Sequence, residues 1–276
     1  MKGVREPIVA GAFYPGTAAA LSAAIDGLLP ATVPAAKAPL AGPVGLVVPH
    51  AGYVYSGGVA AAGFSELARR GRPEWVLVLG ANHTGLGRPL SLARVGSWRT
   101  PLGTAPIATD VADRLAGEGI AVAEEAFLRE HSVEVELPFL QHLFGSEIPF
   151  VPIAVMLQSL DGLVAAGERI ADVVRGQGAA VVVSSDFTHY EPQDVAEEID
   201  RRAIERILAL DVDGFYESLV REDLSICGGA AIVVVMAVAR RLGWAEARLL
   251  AYGTSGDATG DRRAVVGYAS IVLAEG

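Results

Sequence analysis

Three histidines in this chain share one local grammar. His50 closes Gly45-Leu46-Val47-Val48-Pro49-His50, and His83 follows Trp75-Val76-Leu77-Val78-Leu79-Gly80 through Ala81-Asn82. His189 follows Ala179-Ala180-Val181-Val182-Val183-Ser184 through Ser185-Asp186-Phe187-Thr188. Each apolar run reads as a buried strand, and ligands of open α/β sheets bind at the carboxyl ends of strands. The chain has only 5 histidines, so three at such ends are a candidate donor set. Neutral imidazole suits first-row transition metals, and two histidines with one anionic donor leave positions open for water or substrate.

Cys227 is a candidate third ligand. It opens a helical stretch whose N-terminal dipole is expected to lower the thiol pKa and favour the thiolate. Asp186 and His189, three residues apart, read as an orienting carboxylate with an acid/base histidine. Plainer readings stand beside these. A histidine at a strand end is more often a hydrogen-bonded loop residue, a free cysteine is more often a small buried hydrophobe, and Asp186 could cap a turn. Glu130-His131-Ser132-Val133-Glu134 joins acid, base and a capping serine, but helix N-termini are acidic for dipole reasons alone. His142 reads as a helix-surface or core residue. Gly253 to Asp261 has the composition of an anion-cradling loop, with an ordinary turn between strands the simpler account.

The elements that must position these groups follow from periodicity. Continuous apolar strands at 44–48, 75–79, 148–156 and 179–184 alternate with helices at 18–29, 57–70, 160–175 and 192–210. That alternation predicts a mainly parallel or mixed sheet covered on both faces. Residues 132–144 look helical, with Pro138 starting the helix late or kinking it. Gly85 to Gly103 suggests short strands or an excursion loop, and 30–43 a Pro/Ala-rich loop. Residues 248–252 and 264–272 read as two final strands. No repeat or linker divides residues 1–276, so one single-domain α/β/α sandwich is expected.

The totals narrow the classes. A net charge of −10 argues against sequence-independent binding to nucleic acid or anionic membranes, which needs a basic surface. A single cysteine fits a reducing compartment. No apolar run follows Lys2, Arg5, Glu6 and Pro7 as a secretory leader would require, and the apolar stretch 226–239 is shorter than a membrane span. A soluble, cytoplasmic protein is expected.

Several motifs, in order, resemble one family. Gly11-Ala12-Phe13-Tyr14-Pro15, Pro49-His50-Ala51-Gly52-Tyr53, Gly80-Ala81-Asn82-His83 and Thr100-Pro101-Leu102-Gly103 are followed by Glu130-His131-Ser132-Val133-Glu134, Ser184-Ser185-Asp186-Phe187-Thr188-His189-Tyr190 and Cys227-Gly228. Together they resemble the Memo family, whose microbial members are called AmmeMemoRadiSam system protein B. The resemblance implies the α/β/α sandwich of the class III extradiol (LigB-like) non-heme iron dioxygenases. It implies His50, His83 and Cys227 as metal ligands, with Asp186 and His189 beside the metal and His189 in the acid/base position. It also implies AMMECR-type and radical SAM proteins as partners. Those dioxygenases use a 2-His-1-carboxylate triad, whereas this chain offers a thiolate at the third corner, which admits copper or zinc as readily as iron. Three readings follow. They are a metal-dependent redox protein or oxidoreductase of dioxygenase-like design, a non-catalytic peptide- or protein-binding module in which Tyr53, Tyr55, Trp98 and Tyr190 line the cleft, and a zinc hydrolase with Asp186 or His189 as base.

Overall fold

A computed structural model describes residues 3–31, 33, 38–94 and 96–276. Part of the expected 30–43 loop, residues 32 and 34–37, lies outside the described residues. Four parallel strands form the centre, in the spatial order Phe150–Val155, Trp75–Ala81, Ala179–Ser184, Val44–Val48. All four are buried along their whole length, as strands covered on both faces must be. The rest of the sheet departs from parallel. Val265–Ala274 runs antiparallel beside Val44–Val48 and also pairs with Glu246–Thr254, while Leu90–Leu92 lies antiparallel on Phe150–Val155. The sheet is therefore mixed. A separate small sheet joins Val4–Arg5 to Ser97–Thr100 and Gly103–Pro106, so the 85–103 excursion holds Leu90–Leu92 of the main sheet and Ser97–Thr100 of this one.

Alternation along one strand fixes the two outer layers. A Cβ at Gly45 would meet Trp244 and Val235, so this face lies under the helix Gly229–Leu242. Leu46 and Val48 point the other way, onto Gly63 of the helix Tyr53–Arg70. Gly229–Leu242 buries most of its circumference because Leu160–Val174 packs on its far side, with Gly167 admitting Ala237 and Val234 at the crossing. Each Val or Leu so enclosed contributes about 1.5–3 kcal/mol.

Two local expectations needed adjusting. The second helix begins at Tyr53 rather than near Ser56 or Gly57. Its N-cap, Gly52, is extended, and Gly57 lies within the helix as a glycine because Leu28 packs where a side chain would stand. The helix Ser132–Phe144 starts on time and carries Pro138 within it. That proline gives up only the bond its N–H would make to the Glu134 carbonyl one turn earlier. No helix among the described residues is long and apolar enough to cross a membrane.

Candidate metal centre

Strand ends bring the site together. Pro49-His50 continues the strand Val44–Val48, Asn82-His83 continues Trp75–Ala81, and Ser185-Asp186 continues Ala179–Ser184. These three strands are neighbours, so their carboxyl ends open onto one place. Cys227 arrives from the start of Gly229–Leu242. Its neighbour Gly228 has to be glycine, because a Cβ there would stand 2.5 Å from Ser185 Cβ and 2.7 Å from the Ser184 carbonyl.

His50 is buried, and its ring is tied at one nitrogen. Nδ1 lies 2.7 Å from Ser184 Oγ, and Nε2 lies 3.4 Å from Cys227 Sγ. Its backbone N–H donates to Asp186 Oδ1 at 2.9 Å, and the Ala51 N–H does so at 3.2 Å. Burial, reinforced by the neighbouring His83, pushes the His50 imidazole down to about 3, so it is neutral at physiological pH.

His83 is held by a carboxylate. Glu130 Oε1 takes its Nδ1–H at 2.9 Å and Oε2 takes its backbone N–H at 2.7 Å, which leaves Nε2 as the free nitrogen. Partial burial lowers the His83 pKa, but the hydrogen bond and charge of Glu130 outweigh it and the net shift is upward. Burial likewise opposes ionisation of Glu130. The His83 ring and the Ser132 and His83 backbone N–H groups overcome that, holding the carboxyl at about 2. A carboxylate that orients a ligating histidine is the usual outer support of a metal site.

The third imidazole is His131. Its ring stacks on His83 at 4.8 Å between centroids and meets His50 edge-on at 5.4 Å. Ligand atoms of His50, His83 and His131 all lie within 4.8 Å of one another, and among the described residues they form the grouping able to hold a metal ion. Burial and the two neighbouring histidines push His131 down to about 4. In the sequence alone, His131 is ambiguous between a functional acid/base motif and a helix start that is acidic for dipole reasons. Its role depends on contacts across 81 residues to His50 and 48 to His83, which no local spacing reveals.

Asp186 and His189 face the same space. Burial raises the Asp186 carboxyl to about 6, against the His50 and Ala51 N–H groups that lower it. His189 donates its backbone N–H to Ser225 Oγ at 2.9 Å, and its Nδ1 lies 2.8 Å from the Ser225 carbonyl. A carbonyl only accepts, so Nδ1 carries the proton and Nε2 is free as a base. One expectation fails at Cys227. Burial, with the charge of Asp186, drives its thiol pKa up, and the Asp186 and Gly228 N–H groups do not reverse this. Among the described residues no cation stands beside this half-buried sulfur, which favours the thiol until a metal displaces the proton.

Above these groups lies a cleft of about 750 Å³. Tyr55 and Tyr190 line it as expected, but Tyr53 and Trp98 do not. Tyr53 is buried against Phe139 with its hydroxyl on the Val135 carbonyl, and Trp98 is buried under the Arg5 guanidinium, 4.0 Å from its ring centroid. Phe13 and Tyr268 take their places in the wall. Phe13 sits edge-on to His131, at 4.9 Å. The 253–261 segment joins its two strands through a short helix. Asp257 Oδ2 takes the Thr254 N–H at 2.8 Å at the start of the short helix Ser255–Thr259, and Ser255, Thr259 and Asp261 line the cleft. His142 is a surface partner of the first helix, 2.9 Å from Asp26.

The profile of Memo-like proteins matches residues 5–272. The chain belongs to the Memo family. A MEMO1 family protein of Methanothermobacter thermautotrophicus is 42% identical over 277 residues, covering 97% of this chain and 99% of that one. Another, of Thermotoga neapolitana, is 40% identical over 287 residues, covering 98% and 99%. The crystal structure of an uncharacterized protein from Escherichia coli K12 superposes with a TM-score of 0.59 at 14% identity, over 83% of this chain and 99% of that one. At that identity the likeness concerns the fold.

The donor chemistry of this Memo-family site fits a transition metal. His50 and His131 are neutral at physiological pH, Nε2 of His50 and His83 are not engaged by their hydrogen-bond supports, and a soft sulfur stands beside His50.

Proposed function

We propose that this Memo-family protein carries a metal-dependent redox centre, with His50, His83 and Cys227 holding iron or copper and His131 supplying a further imidazole. The observation that supports this best is the shared orientation of His50 and His83. Each is tied at Nδ1 by a residue behind it, Ser184 or Glu130, so that Nε2 is left for a ligand. Zinc is the alternative occupant of the same donors, and would favour hydrolysis of a bound substrate with Asp186 or His189 as base.

A bound iron or copper would supply the electron-transfer chemistry, in the manner the dioxygenase resemblance suggests. The chain's own groups supply the rest. His189 Nε2 is free to take or return a proton at the cleft floor, because Ser225 holds the other ring nitrogen. Asp186, raised toward neutrality, orients the His50-Ala51 backbone through its Oδ1. Phe13 and Tyr268 stand in the cleft wall beside the histidines.

Elemental analysis of protein purified without a metal-affinity tag tests the reading. Near-stoichiometric iron or copper is expected in the wild type and its loss in His83→Ala and Cys227→Ala. Full metal content in both variants would sink the donor assignment. A second reading, a peptide-binding cleft without turnover, is favoured by the exposure of Tyr190 (77%) and Tyr55 (48%) at the cleft mouth. Metal-free wild type that retains a bound peptide would support it. The AMMECR-type and radical SAM partners belong to this proposal as well, and co-purification from the native host is their test.

A further inference from the structure

Ser184 Oγ has three polar neighbours at the same short distance. His50 Nδ1, the Ser132 carbonyl oxygen and Glu136 Oε1 each lie 2.7 Å away, and both Ser184 and Glu136 are fully buried. A hydroxyl has one proton to give and two lone pairs to fill. The Ser132 carbonyl can only accept, so the hydroxyl proton belongs to it. The other two neighbours then have to donate. His50 donates from Nδ1–H, and Glu136 donates from a protonated carboxyl. Every other assignment presses unshared lone pairs together at 2.7 Å in a dry interior, which costs the desolvation of an unmade hydrogen bond.

The surroundings of Glu136 agree. Among the described residues it has no cationic partner, and its Oε2 has no hydrogen-bond partner at all. A buried carboxylate in that position would be far costlier than a neutral acid whose carbonyl oxygen goes unpaired. Burial, with the charge of Asp186 adding to it, raises this carboxyl well above its ordinary range, against the opposing hydrogen bond of Ser184. The nearby Tyr53 hydroxyl is committed to the Val135 carbonyl at 2.9 Å and offers Glu136 no proton.

We infer that Ser184, its proton committed to the Ser132 carbonyl and its other lone pair filled by Glu136 as a neutral acid, is a positioning residue that locks His50 in the Nδ1–H tautomer and so keeps its Nε2 lone pair turned toward the candidate metal donors. The inference rests on the metal-centre reading for its purpose, though not for its geometry. It also explains an asymmetry at the site. His83 is oriented by an ionised carboxylate in direct contact, whereas His50 is oriented by a hydroxyl whose carboxyl neighbour is neutral. The two imidazoles therefore present the same nitrogen without placing a second negative charge beneath a metal already facing a thiolate.

The test reads the tautomer directly, in protein stripped of metal. Long-range proton–nitrogen correlation spectra of nitrogen-15-labelled wild type, with His50 assigned by its loss in His50→Gln, are expected to show the proton on Nδ1. Glu136→Gln is expected to preserve the pattern, since its amide N–H donates to Ser184 Oγ as the acid does. Ser184→Ala removes the acceptor and is expected to show mixed tautomers, whereas Glu136→Leu leaves the Ser184 proton on the Ser132 carbonyl and is expected to keep the wild-type pattern. Titration with cobalt(II) is expected to follow, with Ser184→Ala weaker by about 10–100-fold and Glu136→Gln close to wild type. A proton on Nε2 of wild-type His50 overturns the inference, as does a wild-type pattern in Ser184→Ala or a shifted pattern in Glu136→Gln or Glu136→Leu. Should no protein bind metal while the tautomer pattern holds, the positioning role stands and the metal-centre reading falls.

Discussion

Glu130 holds His83 at two points, its ring Nδ1 at 2.9 Å and its backbone N–H at 2.7 Å, across 47 residues of sequence. The same carboxylate takes the His131 and Ser132 N–H groups at 2.8 and 2.9 Å. One buried side chain therefore fixes two of the three clustered histidines and caps the helix that follows. Glu130→Ala would leave four N–H donors without their acceptor, and a loss of about 3 kcal/mol or more in folding free energy is expected. Glu130→Gln keeps much of the shape but offers one carbonyl where two oxygens stood. It is expected to fold and to bind metal about 10–100-fold more weakly. Chemical denaturation and metal titration of the two variants check this, and unchanged affinity in Glu130→Gln would show that His83 needs no such support.

Glu134 plays a different part, although it lies only four residues on. It accepts from Arg5 Nη1 at 2.7 Å, from the Tyr14 hydroxyl at 2.8 Å and from the backbone N–H groups of Ile8 and Val9. The N-terminal segment is thereby strapped across the site, and Phe13 is carried to His131 while its carbonyl takes the Tyr53 N–H at 2.7 Å. Glu134→Ala would strand the Arg5 charge beside a buried gap, and about 3–5 kcal/mol of destabilisation is expected. Hydrogen exchange should show residues 5–14 opening well before the central sheet. If those amides stay as protected as in the wild type, the strap is held by packing instead.

Much of this fold is legible because parallel strands buried on both faces leave continuous apolar runs. Val44–Val48, Trp75–Ala81 and Ala179–Ser184 announce themselves in that way, and the donor at the end of each comes with them. What the sequence hides is carried by contacts far apart in the chain. His131 joins the cluster only because Glu130 bends the start of its helix over the neighbouring strand end, and Phe13 reaches it only through the Glu134 strap. Periodicity also cannot tell Tyr53 from Tyr55. About half a helical turn separates them, so the first is core and the second is cleft wall. The Cys227 thiol shows a competition that spacing cannot weigh, since the helix start favours the thiolate while burial beside Asp186 opposes it more strongly.

Gly267 faces the loop that presents Asp186 and His189. Its N–H donates to the Thr188 carbonyl and its carbonyl accepts from the Phe187 N–H, both at 2.8 Å. A Cβ at this position would fall inside the van der Waals shell of Asp200 Oδ2, itself 2.8 Å from the Tyr252 hydroxyl. Gly267→Ala is therefore expected to cost about 1–3 kcal/mol through overpacking and to shift the 186–189 loop. Thermal unfolding measures the first effect, and the chemical shifts of the His189 ring report the second. A variant as stable as wild type with unmoved His189 signals would mean that Asp200 can swing aside freely.

Asp200 also offers a pH signature away from the metal donors. It is buried, with Oδ1 on the Thr188 N–H at 3.0 Å and Oδ2 under the Tyr252 hydroxyl. Burial raises its carboxyl above the ordinary 3.8, and the hydrogen bonds from Thr188 and Tyr252 only partly oppose this. The native state then holds this proton more tightly than the unfolded chain does. Its contribution to stability is accordingly full at low pH and falls as pH rises from 3.8 through the raised value. Asparagine has no proton to lose, so Asp200→Asn is expected to lack this falling component. The test is the difference in unfolding free energy between wild type and variant in urea, measured from pH 4 to pH 8. That difference should move steadily in favour of the variant as pH rises. A difference that is flat in pH would show that Asp200 titrates alike in the folded and unfolded chain, and that its bonds to Thr188 and Tyr252 fully offset its burial.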